Sequence, residues 1–310
     1  MLGSNVYVGL RRFTMMRMGL GPYRGERTKV LVKSGWRDRG LVFLQQDRVG
    51  GPAIPARTRF IDATAPSLQL AHGSSVLISV EPLLAAVYVA NNWELVVEVT
   101  GGEVPALDGS AAPWVDALRK SGLFREGASP HHVVVRERVY LEGDGWSVEV
   151  APADSPTVTV ALELDRPGVG SQEVSFDLTQ SVLEKEVAPA RLFGFRVVEK
   201  PESDGDDLFP FDEDVEEHPI FVDERGTIFR GDQKRLLIFN DEGGVENEDG
   251  LRFDDEPVRH KVQVLLAYLA LLGAPIVARV TSRNAPPGAL KQMLRKLEAE
   301  GGLEVVSEPV

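Results

Sequence analysis

The chain has 310 residues, 43% hydrophobic and 26% charged, the mix of a soluble folded protein with enough apolar side chain for a core and length for two domains. Its net charge of −13 makes it a poor ligand for phosphate backbones, so nucleic-acid binding is not expected. It has no cysteine, which excludes disulfides, thiolate metal sites and cysteine nucleophiles and fits a cytoplasmic location.

Met1 to Leu20 carries scattered arginines and no continuous apolar run, so no export signal is read there. Thr28–Lys33 alternates polar and apolar residues as a half-buried strand does, and Gly40–Leu44 is a second strand. Val80–Ala90 is a helix, with Pro82 tolerated in its first turn. Leu95–Val99 is a strand. After the loop Gly101–Ser110, Ala111–Ser121 is a helix that stops at Gly122. The second half repeats the plan: strands Val133–Val139, Trp146–Val150, Val158–Leu164 and Gln172–Leu178, helix Val258–Leu272, strand Ile276–Thr281 and a helix from Ala289 to Glu300. The predicted class is α+β, each half a sheet carrying helices, with the halves meeting between residues 127 and 128. The longest apolar run, Val262 to Leu272, is too short to span a bilayer and reads as a buried helix.

Glu199 to His218 is crowded with carboxylates and contains two prolines. Charge repulsion favours a solvated loop there, serving at most as a contact for a protein partner. Its spacing lacks the pattern of a calcium-binding loop.

Four patches in order, Ser79–Ala86 (SVEPLLAA), Glu103–Val115 (EVPALDGSAAPWV), Pro189–Phe195 (PARLFGF) and Asn247–Lys261 (NEDGLRFDDEPVRHK), resemble the LpxC family of zinc-dependent UDP-3-O-acyl-N-acetylglucosamine deacetylases of lipid A synthesis. The resemblance runs from about Leu20 to Leu297. It implies two β-α-α-β layers packed together with the site between them. It also implies hydrolysis of an amide by a zinc-polarised water with a carboxylate base. Zinc of that kind needs three protein ligands and one open position.

The same resemblance places the zinc ligands at Pro82, His260 and Val264, and only His260 can coordinate. The general-base position is Glu81. The acid histidine falls near Ala285-Pro286-Pro287, its orienting Asp at Tyr268, a carbonyl-assisting threonine at Leu192 and a further histidine at Tyr23. Lys261 and Phe193 remain as ligand-binding candidates. These joint losses point to a non-catalytic relative with no zinc cofactor, acting in binding, regulation or as a scaffold. The alternative is an active zinc deacetylase with an altered site, for example one rebuilt from His260, His218 and Glu81. His131 and His132 read as a surface pair. His260 is expected to hydrogen-bond within the interface of the halves rather than hold metal, and Glu81 to pair with an Arg or Lys. Lys261 either meets a diphosphate or pairs with Asp254, Asp255 or Glu256. Ser110 or Asp108 is read as capping the helix at Ala111. The apolar replacements Leu192, Val264 and Tyr268, with Pro82, are expected to plug the metal end of the cleft, leaving a nucleotide-sugar or acyl ligand as an open question.

Overall fold

The computed structural model describes residues 13–35, 39–48, 50–65, 67–196, 220–223, 228–230 and 234–307. In Arg27–Ser34, Thr28, Val30 and Val32 are buried while Arg27 and Lys29 are exposed. Leu95–Thr100 likewise turns Leu95, Val97 and Val99 inward. This period of two builds a sheet with one wet face. The first large sheet has the order Thr14–Leu20, Arg27–Ser34, Leu95–Thr100, Val42–Gln45, Ile54–Pro55. All neighbours are antiparallel except Leu95–Thr100 with Val42–Gln45.

The second large sheet has the order Val139–Gly143, Trp146–Ala151, Arg279–Arg283, Thr157–Leu164, Gly170–Asp177, with its single parallel pair again between third and fourth strands. In both, a helix precedes the central strand and another follows it. These are α1 (Glu81–Val89) and α2 (Ala112–Lys120) in the first half. A short α3 (Gln180–Val182) follows the second sheet's edge strand. The second pair is α4 (Glu256–Ala270) and α5 (Pro287–Glu300). The repeat seen in the order of elements is therefore a repeat of topology, and the class is α+β as expected.

Several boundaries differ from the sequence reading. Val133–Val139 divides: His131–Val134 joins Ile276–Val277 and Glu304–Ser307 in a separate three-stranded sheet, and Val139–Gly143 belongs to the second large sheet. Ile276–Thr281 divides likewise at buried Ala278. The first break falls where the apolar run Val133–Val135 gives way to Arg136, Glu137 and Arg138, and the second just ahead of Arg279. Thr14–Leu20 was not expected as a strand, because Met16 and Met18 are exposed and hide the alternation. α4 and α5 begin two residues earlier than expected, with Pro257 and Pro287 in their first turns. A four-stranded sheet, ordered Ile228–Arg230, Ile220–Val222, Phe193–Arg196, Leu237–Phe239, had no counterpart in the reading. The acidic stretch Glu199 to His218 lies outside the described residues. No helix among those residues is long and apolar enough to cross a membrane.

α4 is buried on nearly every side and packs on α1, whose residues Leu83 to Val89 are all buried. Its polar residue Gln263 accepts a hydrogen bond from the Ala111 N–H at 3.0 Å, fixing α4 to the start of α2. At its N-terminus Glu256 is fully buried and bridges Arg191, itself 2% exposed, at 2.8 Å. Glu256 accepts from the Arg191 backbone N–H at 2.9 Å and from Nη2 at 3.0 Å. Arg191 also donates to Asp249 and to the Gly250 carbonyl. Burial pulls the guanidinium pKa down, but the hydrogen bonds and charge of Glu256 and Asp249 outweigh it and hold the value raised. Removing one partner strands a buried charge. Arg191→Met should therefore cost about 3–5 kcal/mol in denaturant unfolding, and Arg191→Met combined with Glu256→Met should cost less than either single change.

Candidate functional site

A cavity of about 490 Å³ lies between the halves, within the size range of small-molecule sites. One wall is a face of α4, where His260, Val264 and Tyr268 follow one another at a spacing of four, with Lys261 beside them. Ser79, Glu81 and Pro82 face in from the start of α1, joined by Tyr23 and Leu192. Ala285, Pro286 and Pro287 border the cavity ahead of α5. The structure thus brings together the positions that the resemblance assigns to the site, with one exception. Phe193 is the exception: it is buried outside the lining, edge-on to His260 at 6.1 Å, and the Lys261 Nζ lies 5.1 Å from its ring centre.

The side chains expected to plug the cleft line it instead. Leu192 packs with Tyr23 on a separate apolar cluster of Phe221, Leu236 and Ile238. Val264 packs at the edge of the main core. Contact with these neighbours draws both side chains to the wall and leaves the space open.

Glu81 Oε1 accepts the Leu68 backbone N–H at 3.1 Å. His260 is 5% exposed. Of the carboxylates considered for Lys261, Asp255 bridges Arg259 at 2.5 Å and Glu256 bridges Arg191. His131 contacts the Ser307 hydroxyl at 2.9 Å and His72 the Ala53 carbonyl at 2.7 Å, and neither lines the cavity. His218 lies outside the described residues.

The donor set does not fit a catalytic zinc. Of the three positions where the resemblance places zinc ligands, Pro82 and Val264 have no side-chain lone pair to give, and His260 alone can coordinate. Among the described residues no three His, Cys, Asp or Glu side chains gather as a metal site.

The retained patches have structural work. Asp108 Oδ1 accepts from the Ser110 N–H at 2.9 Å and hydroxyl at 2.8 Å, and the Ser110 oxygen accepts the Ala112 N–H at 3.3 Å. Arg252 bridges Asp108 at 3.0 Å and donates to the Pro189 carbonyl at 2.8 Å. Gly109 sits at φ +84, and a Cβ there would lie 2.2 Å from the Arg235 carbonyl oxygen, so both conformation and space require glycine.

Glu103 was not singled out, because an isolated carboxylate in an irregular loop carries no periodicity. It is 2% exposed and accepts from the Tyr23 N–H at 2.8 Å, the Arg24 N–H at 3.2 Å and the Ser79 hydroxyl at 2.9 Å. It thereby holds the Tyr23 turn against the start of α1, where Ser79 adopts φ +58. Burial pushes its carboxyl above the ordinary 4.5, more than these hydrogen bonds pull it down. A raised folded value means stability present below 4.5 and lost as pH rises through the folded value. The stability of the native protein relative to Glu103→Gln should fall as pH rises from about 4 to about 8, read from melting temperatures. A difference that grows with pH would contradict this.

The family model for UDP-3-O-acyl N-acetylglycosamine deacetylase matches residues 12–204 and 209–299. A protein of Thermosynechococcus vestitus named UDP-3-O-acyl-N-acetylglucosamine deacetylase is 32% identical over 280 residues, covering 90% of each chain. Proteins of the same name from Oleidesulfovibrio alaskensis and Pseudomonas entomophila are 30% and 29% identical, over 83% and 93% of this chain and 78% and 88% of theirs. With its twinned sheets and the four patches in order, the chain belongs to the UDP-3-O-acyl-N-acetylglucosamine deacetylase (LpxC) family.

Proposed function

We propose that this chain is a non-catalytic member of its family, a cytoplasmic binding protein that keeps the cavity and has given up amide hydrolysis. The observation that carries this reading is the wall His260–Val264–Pro82, where a single side chain of the three can coordinate a metal. Without a metal-bound water, Glu81 has no activated proton to take, and its bond to Leu68 gives it a positioning role at the start of α1. The acid position offers only Ala285, Pro286 and Pro287, which have no side-chain proton to deliver. Binding survives these changes because it needs shape and apolar contact, both of which the cavity offers. A nucleotide-sugar or acyl ligand is the class the family relationship supports. The acidic stretch Glu199 to His218 is a further proposed contact for a protein partner.

A second reading, deacetylation at an altered site, draws on the names of the relatives and on Glu81 and His260 sharing the cavity. Metal analysis and turnover separate the two. Purified protein should carry well under one zinc per chain and release no acetate from UDP-3-O-acyl-N-acetylglucosamine, with or without added zinc. Glu81→Gln should leave that background unchanged. Stoichiometric zinc that resists mild chelation, or turnover lost in Glu81→Gln, would establish the second reading instead.

A further inference from the structure

Two of the exposed large apolar side chains, Met16 at 53% and Met18 at 63%, stand on one face of the strand Thr14–Leu20. That strand ends the first sheet, and among the described residues it pairs with Arg27–Ser34 alone. The Ser34 N–H donates to the Phe13 carbonyl at 3.1 Å. Antiparallel pairs alternate, so Met15, Arg17 and Gly19 turn their backbone groups to Arg27–Ser34, while Thr14, Met16 and Met18 turn theirs outward. Two contacts agree with this parity. The Leu20 carbonyl accepts from the Ala106 N–H at 3.1 Å, and the Met16 carbonyl accepts from the Arg17 guanidinium at 3.0 Å. The Ala106 bond closes the edge at Leu20 and leaves it open from Thr14 to Met18. Proteins usually blunt such an edge with charges, proline or a bulge. This strand has one charge, Arg17, no proline and an unbroken register. Methionine side chains repack readily around different neighbours. Outward backbone groups with adaptable apolar side chains at alternate positions are the parts that strand addition uses.

Charge sets the occupant. Residues 13–34 hold five basic side chains, Arg17, Arg24, Arg27, Lys29 and Lys33, and one carboxylate, Glu26, in a chain of net charge −13. Lys33 bridges Glu98, and Arg24 donates to the Gly101 carbonyl. Arg27 and Lys29 are exposed on the methionine face, and among the described residues no ion pair joins Arg17, Arg27 or Lys29 to a carboxylate. Exposed Glu26 offsets one of these three charges. A second copy would bring the same positive strand against its twin, whereas a strand bearing carboxylates meets opposite charge. A lipid surface offers no donors and acceptors at the spacing of a strand, and a peptide offers both.

We propose that the edge Thr14–Met18 takes an extended acidic peptide of a partner protein as a sixth strand of the first sheet. Apolar side chains of the peptide lie on Met16 and Met18, and its carboxylates lie beside Arg17. None of these residues lines the cavity, so the surface is independent of whether hydrolysis is retained there.

The test uses the full chain and a fluorescein-labelled heptapeptide of alternating glutamate and valine, read by fluorescence anisotropy. The peptide should bind at one site per chain and more weakly as salt rises. A peptide of alternating lysine and valine should bind at least about tenfold more weakly. Met18→Pro removes an outward N–H and no bond to Arg27–Ser34, so the sheet should stay folded while peptide affinity falls at least about tenfold. Arg17→Glu leaves the backbone untouched and should weaken binding by at least about tenfold through charge. Should Met18→Pro fold poorly, an acidic peptide N-methylated at alternate residues cannot pair with the edge and should bind at least about tenfold more weakly to the native chain. Absence of binding, equal binding of the lysine peptide, full binding of the N-methylated peptide, or unchanged affinity in either folded variant would overturn the proposal. A concentration-dependent dimer lost in Met18→Pro would overturn it in favour of a second copy. Binding to phosphatidylglycerol vesicles, lost in Arg17→Glu, would overturn it in favour of a lipid surface.

Discussion

Arg191 and Glu256 meet at 2.8 Å with almost no exposure to water, and the remaining donors of Arg191 reach Asp249 and the Gly250 carbonyl. Two charges buried in this way are tolerated only when each hydrogen-bonding site is filled, because the cost of desolvating them is large. That requirement pins the Pro189–Phe195 patch to the Asn247–Lys261 patch and sets where α4 begins. Arg252 extends the knot to Asp108, and Leu192 adds a backbone bond to the Gly109 carbonyl at 2.7 Å. Three of the four patches that mark the family thus converge on one polar centre. The fourth, at the start of α1, is tied to Glu103 through Ser79.

This arrangement separates the groups that hold the scaffold from those that face the cavity. The knot and the Glu103 cluster depend on particular donors and acceptors, so their residues are interdependent. The cavity wall depends on volume and polarity. A valine at position 264 and a leucine at 192 find apolar neighbours and stay at the wall, without disturbing Arg191 one residue away. The fold can therefore keep its family form while side chains of the cavity wall change.

Much of the fold was legible because its signals are local. Alternation in Thr28–Lys33 and Leu95–Val99 marks strands, and the apolar body of α4 marks a helix buried all round. The edge strand Thr14–Leu20 was hidden because methionines occupy its outer face. The strands that change sheet near Val135 and Ala278 were hidden because charged residues such as Arg136, Glu137, Arg138 and Arg279 occur on the wet face of a strand as readily as between strands. At the site, the positions around His260 were legible through their order in the family patches, and the structure gathers them on one cavity. Phe193 could not be placed that way. A ring beside a binding residue and a ring behind it have the same sequence, and here it stands behind His260 and Lys261.

The amino-acid sequence by itself determined the α+β class, the repeated order of elements and the family, since each depends on residue identity and spacing along the chain. Tertiary structure alone decided that the cleft stays open, that Glu103 is a buried carboxylate holding Ser79 and Tyr23, and that Arg191 serves the interior. Those outcomes depend on which distant side chains compete for the same space and the same hydrogen bonds. Leu192 could have filled the cavity or joined Phe221, Leu236 and Ile238, and only the packed chain places those partners within reach.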